Sequence, residues 1–195
     1  MAFGVAGHFD GTATPGVLPE VAAQVVLLDP DNIDGVAQAL EADSDIAALI
    51  LEPTGGSGGM IPLAPGFVAQ LRELTEQHGV LLIMDEVVTG FRVHPGGAQG
   101  LLDVKPDLTT LAKILAGGLP GGAVVGRADI LAHLDFKAAA DKDFEKIHHP
   151  GTFNGNPLSA AAGTKTLEII ANSDACAKAD AFGQELRVKL DERFK

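Results

Sequence analysis

Val80-Leu81-Leu82-Ile83-Met84-Asp85-Glu86 is an unbroken apolar run closed by two carboxylates. A short run with no alternation of period two reads as a strand covered on both faces. An acidic residue directly after it lies at the strand's carboxyl end, where ligands bind in open α/β sheets. Upstream, Phe67, Leu71 and Leu74 mark one face of a helix that stops at His78-Gly79, and Glu52 to Ala64 is a glycine- and proline-rich loop. Before that loop, Ile46-Ala47-Ala48-Leu49-Ile50-Leu51 reads as a second buried strand. Asp31-Asn32 caps an amphipathic helix through Ile33, Val36, Ala37 and Leu40, and Gln24-Val25-Val26-Leu27-Leu28 reads as a further short strand. Strands alternating with helices in this way predict an α/β fold, a three-layer, mainly parallel sheet.

Downstream of Glu86 the pattern continues. Val87 to Gly100 reads as a loop, Asp107 to Leu111 and Ala123-Val124-Val125 as strands, and Ala128 to Leu134 as a short helix. Asp135 to His149 has mixed charge and few apolar anchors, so a surface excursion is expected there. Asn156 can cap a helix over Pro157 to Ala171, because proline at the first helical position gives up an N–H that has no helical partner anyway. A last helix starts near Asp174. No internal repeat is present.

Composition narrows the partners. Lysine and arginine number 14 against 26 acidic residues, a formal charge of −12 with no basic run, which argues against nucleic acid or an anionic membrane surface. The remaining partners are a small molecule or another subunit. Cys176 is the single cysteine and can form no internal disulfide, no apolar stretch approaches the ~20 residues needed to span a bilayer, and the amino end lacks the features of a signal peptide. A cytoplasmic location is expected.

Two residues carry the chemistry. Lys113 lies in Leu111-Ala112-Lys113-Ile114-Leu115-Ala116, flanked by apolar residues and followed by glycines 117, 118, 121 and 122. A lysine partly buried in such a setting is expected to have a lowered pKa, which favours Schiff-base chemistry. Together with Asp85 it has the makings of a pyridoxal phosphate site: the lysine holds the aldehyde, and the carboxylate pairs with the ring nitrogen and keeps it protonated. The glycines would allow close backbone approach around the cofactor. Other readings stand beside this one. Asp85 or Glu86 can simply cap the following turn, a lysine is ordinarily a solvated surface residue, and Leu-Leu-Ile-Met-Asp-Glu can serve as a magnesium box of a nucleotide-binding domain. That last reading needs a phosphate loop of the form G-x-x-x-x-G-K-[ST], and the chain has no Gly-Lys dipeptide. Gly151-Thr152-Phe153-Asn154-Gly155-Asn156-Pro157 offers a hydroxyl and backbone N–H groups before a helix, either an anion site or an ordinary capped turn. Gly55-Gly56-Ser57-Gly58-Gly59 can also cradle an anion or be a flexible loop. His148-His149 lacks further ligands at a useful spacing, so no metal site is expected.

Three ordered motifs, Met84-Asp85-Glu86-Val87-Val88-Thr89-Gly90-Phe91-Arg92, Pro106-Asp107-Leu108-Thr109-Thr110-Leu111-Ala112-Lys113 and Gly151-Thr152-Phe153-Asn154-Gly155-Asn156-Pro157, resemble those of the class III pyridoxal-phosphate aminotransferases, and within them the glutamate-1-semialdehyde aminomutases. The likeness runs from about Gly4 to Leu190. It implies the large cofactor domain of the fold-type I aminotransferases and a homodimer with its active sites at the interface. It further implies that Asp85 binds the pyridine nitrogen, Val87 packs on the ring, Lys113 forms the Schiff base and Thr152 binds the phosphate of the other subunit's cofactor. Such aminotransferases commonly carry glutamine where Gly55 stands, and the aminomutases asparagine near Ser57, so Ser57 is expected to take over that contact to the cofactor's phenolic oxygen. Neither the family's amino-terminal segment nor its carboxy-terminal small domain has a counterpart here. The chain is accordingly expected to be an internal portion of a longer protein, covering most of the large cofactor domain, either incomplete as an enzyme or a non-catalytic fragment. The resemblance does not separate aminotransferase from aminomutase, and it leaves the substrate open.

Overall fold

A computed structural model of the protein describes residues 14–54, 61–142 and 145–194. The chain divides into two compact units, Met1–Leu82 and Ile83–Lys195.

In the first unit, a single helical turn α1 (Pro19–Ala22) precedes α2 (Ile33–Ala42), β1 (Ala48–Leu51) and α3 (Phe67–His78), and β2 (Leu81–Asp85) begins at its end. The Asn32 side chain caps α2 by accepting from the Gly35 N–H at 3.0 Å, so the start of the helix is where the sequence placed it. Val36 and Leu40 of α2, and Phe67, Val68 and Leu71 of α3, are buried, and the two helices pack together. Gly79 ends α3 in the left-handed region at φ +68°, where glycine alone carries no Cβ penalty. The Leu81 N–H then donates to the Ala47 carbonyl, 3.1 Å, at the start of β2. Two expectations fail here. Residues 25–29 form no strand, and Val25 and Val26 are exposed: an apolar run makes a strand only where a neighbouring strand takes its backbone groups. β1 is shorter than its apolar run and not buried, its residues alternating between exposed and half-buried with Ile50 60% exposed.

In the second unit, the end of β2 pairs in parallel with β3 (Leu108–Leu111), and β3 pairs antiparallel with β4 (Ala123–Gly126), so β4 runs antiparallel within a mainly parallel sheet of the kind expected. The reason is connection length, since the 3-10 turn Lys113–Ala116 and the tight glycine-rich link to β4 have no room for the helix a parallel crossover requires. Between β2 and β3 lies a six-residue helix, α4 (Gly97–Leu102), in a stretch read from sequence as loop. Three glycines and a proline within residues 95–100 hide its signal, and its anchor is a tertiary contact to Glu86 described below. After β4 come α5 (Ala128–Leu131), a 3-10 turn Ala132–Leu134 and α6 (Phe136–Lys142), the last within the stretch expected to be irregular. Asp135 accepts from the Lys137 N–H at 2.7 Å and starts that helix as a cap. α7 (Pro157–Ala171) and α8 (Ala175–Phe194) begin and end close to where the sequence put them. Asn156 caps α7 by accepting from the N–H groups of Leu158 and Ser159, both at 3.1 Å. Among the described residues no helix is long and apolar enough to cross a membrane.

Candidate active site

Residues that follow β2 and β3 share one end of the second unit. In the parallel pair, Ile83 is opposite Leu108, Met84 opposite Thr109 and Asp85 opposite Thr110. Successive strand residues face opposite sides, and burial follows that rule: Met84 and Thr109 are buried, whereas Asp85 and Thr110 are half-buried. Asp85 Oδ1 accepts from the Val87 N–H at 3.0 Å, which turns the chain at the strand's end and fixes one oxygen of the carboxylate. The Thr110 hydroxyl is buried with no hydrogen-bond partner among the described residues. A buried hydroxyl left alone costs free energy, so an unpaired one beside a carboxylate points to a polar ligand.

Lys113 follows Leu111, the last residue of β3, after one intervening alanine and opens the 3-10 turn. Its φ of +49° is left-handed, a region that costs a residue with a Cβ about 1 kcal/mol and that clusters at functional positions. The side chain is exposed rather than partly buried as expected, because the backbone leaves the sheet before the lysine is reached.

Of the glycines after Lys113, Gly117 and Gly121 stand where a side chain would collide with neighbouring protein. A Cβ on Gly117 would stand 2.6 Å from Thr166 Oγ1 and 2.7 Å from the Ala162 carbonyl, and one on Gly121 would stand 2.7 Å from the Ala116 Cβ. Gly163 of α7 is equally tight against the Leu115 carbonyl, at 2.6 Å. Ser159 adds a hydrogen bond from its hydroxyl to the Pro120 carbonyl, 2.6 Å. Small residues thus seat α7 directly on the lysine's turn and hold it at the sheet's end. Gly118 alone faces open space, at φ +92°.

Thr152 is exposed in the turn before α7. That turn is tied by the Asn154 N–H to the Gly151 carbonyl at 3.0 Å, by Asn154 Nδ2 to the His149 carbonyl at 3.1 Å and by the Asn156 N–H to the Phe153 carbonyl at 3.1 Å. Because these bonds and the Asn156 cap occupy the N–H groups of residues 154, 156, 158 and 159, the backbone cradle expected here is largely used within the turn. These bonds do not use the Thr152 hydroxyl or the N–H groups of residues 152, 153 and 155. The β2–β3 pairing brings Asp85 and Val87 to the same end as Lys113. No described contact joins them to Thr152, and Ser57, with residues 55–60, lies outside the described residues.

Sequence reasoning missed Glu86 as anything but a cap or a magnesium ligand. Its carboxylate is buried on the face opposite Asp85, accepting from Thr89 Oγ1 at 2.9 Å, from the Ala98 N–H, and from the Gln99 N–H and Nε2 at 3.1 and 3.0 Å. Two carboxylates on opposite faces cannot share a cation, so the magnesium box is not built. The available signal was the strand period itself, which turns consecutive residues to opposite sides.

Comparison with known proteins bears on what such an arrangement serves. Residues 19–195 match the family model of aminotransferase class-III. The chain is 43% identical over 182 residues to a glutamate-1-semialdehyde 2,1-aminomutase of Bordetella avium, covering 93% of this chain and 41% of that protein. Among solved structures, an omega-transaminase from Sphaerobacter thermophilus superposes with a TM-score of 0.81 at 36% identity, covering 93% of this chain and 40% of the other. A transaminase with PLP bound matches with a TM-score of 0.72 at 29% identity, over 84% of this chain and 39% of the other. The chain therefore spans about two fifths of the length of the curated relatives it matches.

Proposed function

Since the chain belongs to the class III aminotransferase family, with the α/β fold of the fold-type I enzymes, we propose that it forms part of the large cofactor domain of a pyridoxal-phosphate enzyme that moves an amino group. The activity is that of an aminotransferase or of a glutamate-1-semialdehyde-type aminomutase. The observation that carries this reading is the β2–β3 register, which ends a carboxylate and a lysine-bearing turn at one end of adjacent parallel strands.

The residues suit the group. Asp85 supplies a carboxylate for a protonated ring nitrogen, Val87 an apolar side chain for the ring, Lys113 an amine for the aldehyde, and Thr152 a hydroxyl for the phosphate of the partner subunit's cofactor. The unpaired Thr110 hydroxyl marks a polar ligand position beside Asp85. When bound, pyridoxal phosphate supplies an electron sink for the charge left on a substrate carbon that has lost its proton.

The chain's own residues do the rest. Asp85, held by the Val87 N–H, presents a fixed negative charge that keeps the ring nitrogen protonated. Lys113 Nζ would hold the group through its aldehyde and, as a free amine once a substrate amine has replaced it, would be the general acid–base that takes the proton from the substrate carbon. Its exposed position lets one flexible side chain do both tasks. A small-molecule amino donor and acceptor, and a second copy of the subunit, complete the proposed assembly, in the cytoplasm. The full-length gene product should bind pyridoxal phosphate and show visible absorption that Lys113→Ala abolishes together with amino transfer. Retained amino transfer in Lys113→Ala would overturn the reading.

A further inference from the structure

Glu86 is a fully buried carboxyl directly beside Asp85, and amino-group transfer as outlined gives it no part. Its four side-chain hydrogen bonds come from Thr89, from Ala98 and twice from Gln99, and no lysine, arginine or histidine is among its partners within the described residues. Gln99 Nε2 also donates to Thr109 Oγ1 of β3 at 3.2 Å. The backbone of Glu86 adds two more ties. Its N–H donates to the Thr110 carbonyl at 3.0 Å, and its carbonyl accepts from the Gly90 N–H at 2.9 Å. One residue therefore joins the end of β2, the turn that carries Val87, the start of α4, and β3 just ahead of Lys113.

Two glycines confirm how closely the surroundings are fitted to that carboxyl. A Cβ on Gly97, whose φ is +70°, would stand 2.8 Å from Glu86 Cδ. One on Gly90 would stand 2.7 Å from both the Glu86 carbonyl and Leu111 Cδ2. Since donors converge on both carboxylate oxygens, an amide of the same shape would set an N–H₂ against N–H or O–H groups.

We propose that Glu86 is a positioning residue for Asp85 and Lys113: its buried carboxylate locks the turn after β2 and the start of α4 against β3, and so fixes the spacing between the ring-nitrogen carboxylate and the Schiff-base lysine. This deepens the pyridoxal phosphate reading and rests on it. The effect is on geometry at the cofactor, which a purely structural residue would leave alone once the protein is folded.

The test uses Glu86→Gln and Thr89→Val in the full-length gene product, each followed by thermal melting without cofactor, the pH midpoint of the visible absorption with pyridoxal phosphate bound, and kcat and KM. Glu86→Gln should remain folded, with the midpoint moved by about one pH unit, kcat lower by roughly 10- to 100-fold and KM changed by less than about threefold. Thr89→Val, which removes one donor and leaves the carboxylate, should shift both in the same direction by less. A folded Glu86→Gln protein with the parent's midpoint and kcat would overturn the proposal. Should Glu86→Gln not fold, Thr89→Val decides alone, and a lower melting temperature with unchanged midpoint and kcat would overturn it. A parent protein that borohydride does not label at Lys113 would overturn the cofactor reading and this inference with it; a labelled parent with indifferent variants would overturn this inference only.

Discussion

Asp85 and Thr110 are register partners in the parallel β2–β3 pair, so the carboxylate at the end of one strand and Lys113, just past the end of the next, leave the sheet at the same end. Neighbouring strands lie about 4.8 Å apart, so on the proposed reading two residues distant in sequence serve one small ligand without a loop having to bring them together.

If Asp85 stabilises a protonated ring nitrogen, losing it harms the proton-transfer step far more than capture of the cofactor. Asp85→Ala in the full-length protein should lower kcat by roughly 10²- to 10³-fold. Cofactor occupancy, measured by visible absorption, should stay within about a few fold of the parent, since Lys113 still supplies the covalent bond. Parent-like kcat in Asp85→Ala would remove the assignment.

The seat of α7 on the lysine's turn depends on the absence of a side chain at Gly163, where a Cβ would stand 2.6 Å from the Leu115 carbonyl. Gly163→Val adds volume where neither backbone can yield, and should destabilise by about 1–3 kcal/mol. Because the same contact holds Lys113, the variant should also lose labelling of that lysine at temperatures where it remains folded. Thermal melting and peptide mapping read the two effects separately.

How much of this was legible in the sequence follows from where the signals are local. Asn156 followed by proline, and Asn32 before an amphipathic stretch, start helices by capping their own neighbouring N–H groups, and both helices begin there. The strand ending at Asp85 was equally plain, and with it the α/β class. Signals that depend on distant partners were misread. The run at 24–28 looked like a strand but has no ladder, and α4 is anchored by Glu86 across a long turn. The candidate residues Asp85, Val87, Lys113 and Thr152 came from local motifs, whereas the inward turn of Glu86 and the exposure of Lys113 required the fold.

Removing the Asn156 cap should cost about 1 kcal/mol, since its Oδ1 serves two N–H groups at the start of α7. Asn156→Ala should lower the urea midpoint of unfolding with an unchanged slope, and Asn156→Asp should restore most of the loss.

The Arg127 guanidinium, hydrogen-bonded to Asp129 at 2.6 and 3.1 Å, holds that carboxyl below its usual range, and is itself pushed up by hydrogen bonds to Asp129 and Asp107. A carboxyl whose folded value is depressed contributes stability above its unfolded value, and that contribution disappears as pH falls through the folded one. Asp129→Asn should therefore melt slightly below the parent at neutral pH and level with it in strong acid. The decrement should be small because the pair is exposed.

The most direct measurement is to mix the chain, and in parallel the full-length gene product, with pyridoxal phosphate, reduce with borohydride and locate the label by peptide mass mapping, with Lys113→Ala alongside. The account predicts stoichiometric labelling of the full-length protein at Lys113 and its loss in the variant, with labelling of the chain alone showing that the β2–β3 end is already a formed pocket. Labelling of the full-length protein scattered over surface lysines, or unaffected by Lys113→Ala, would contradict it.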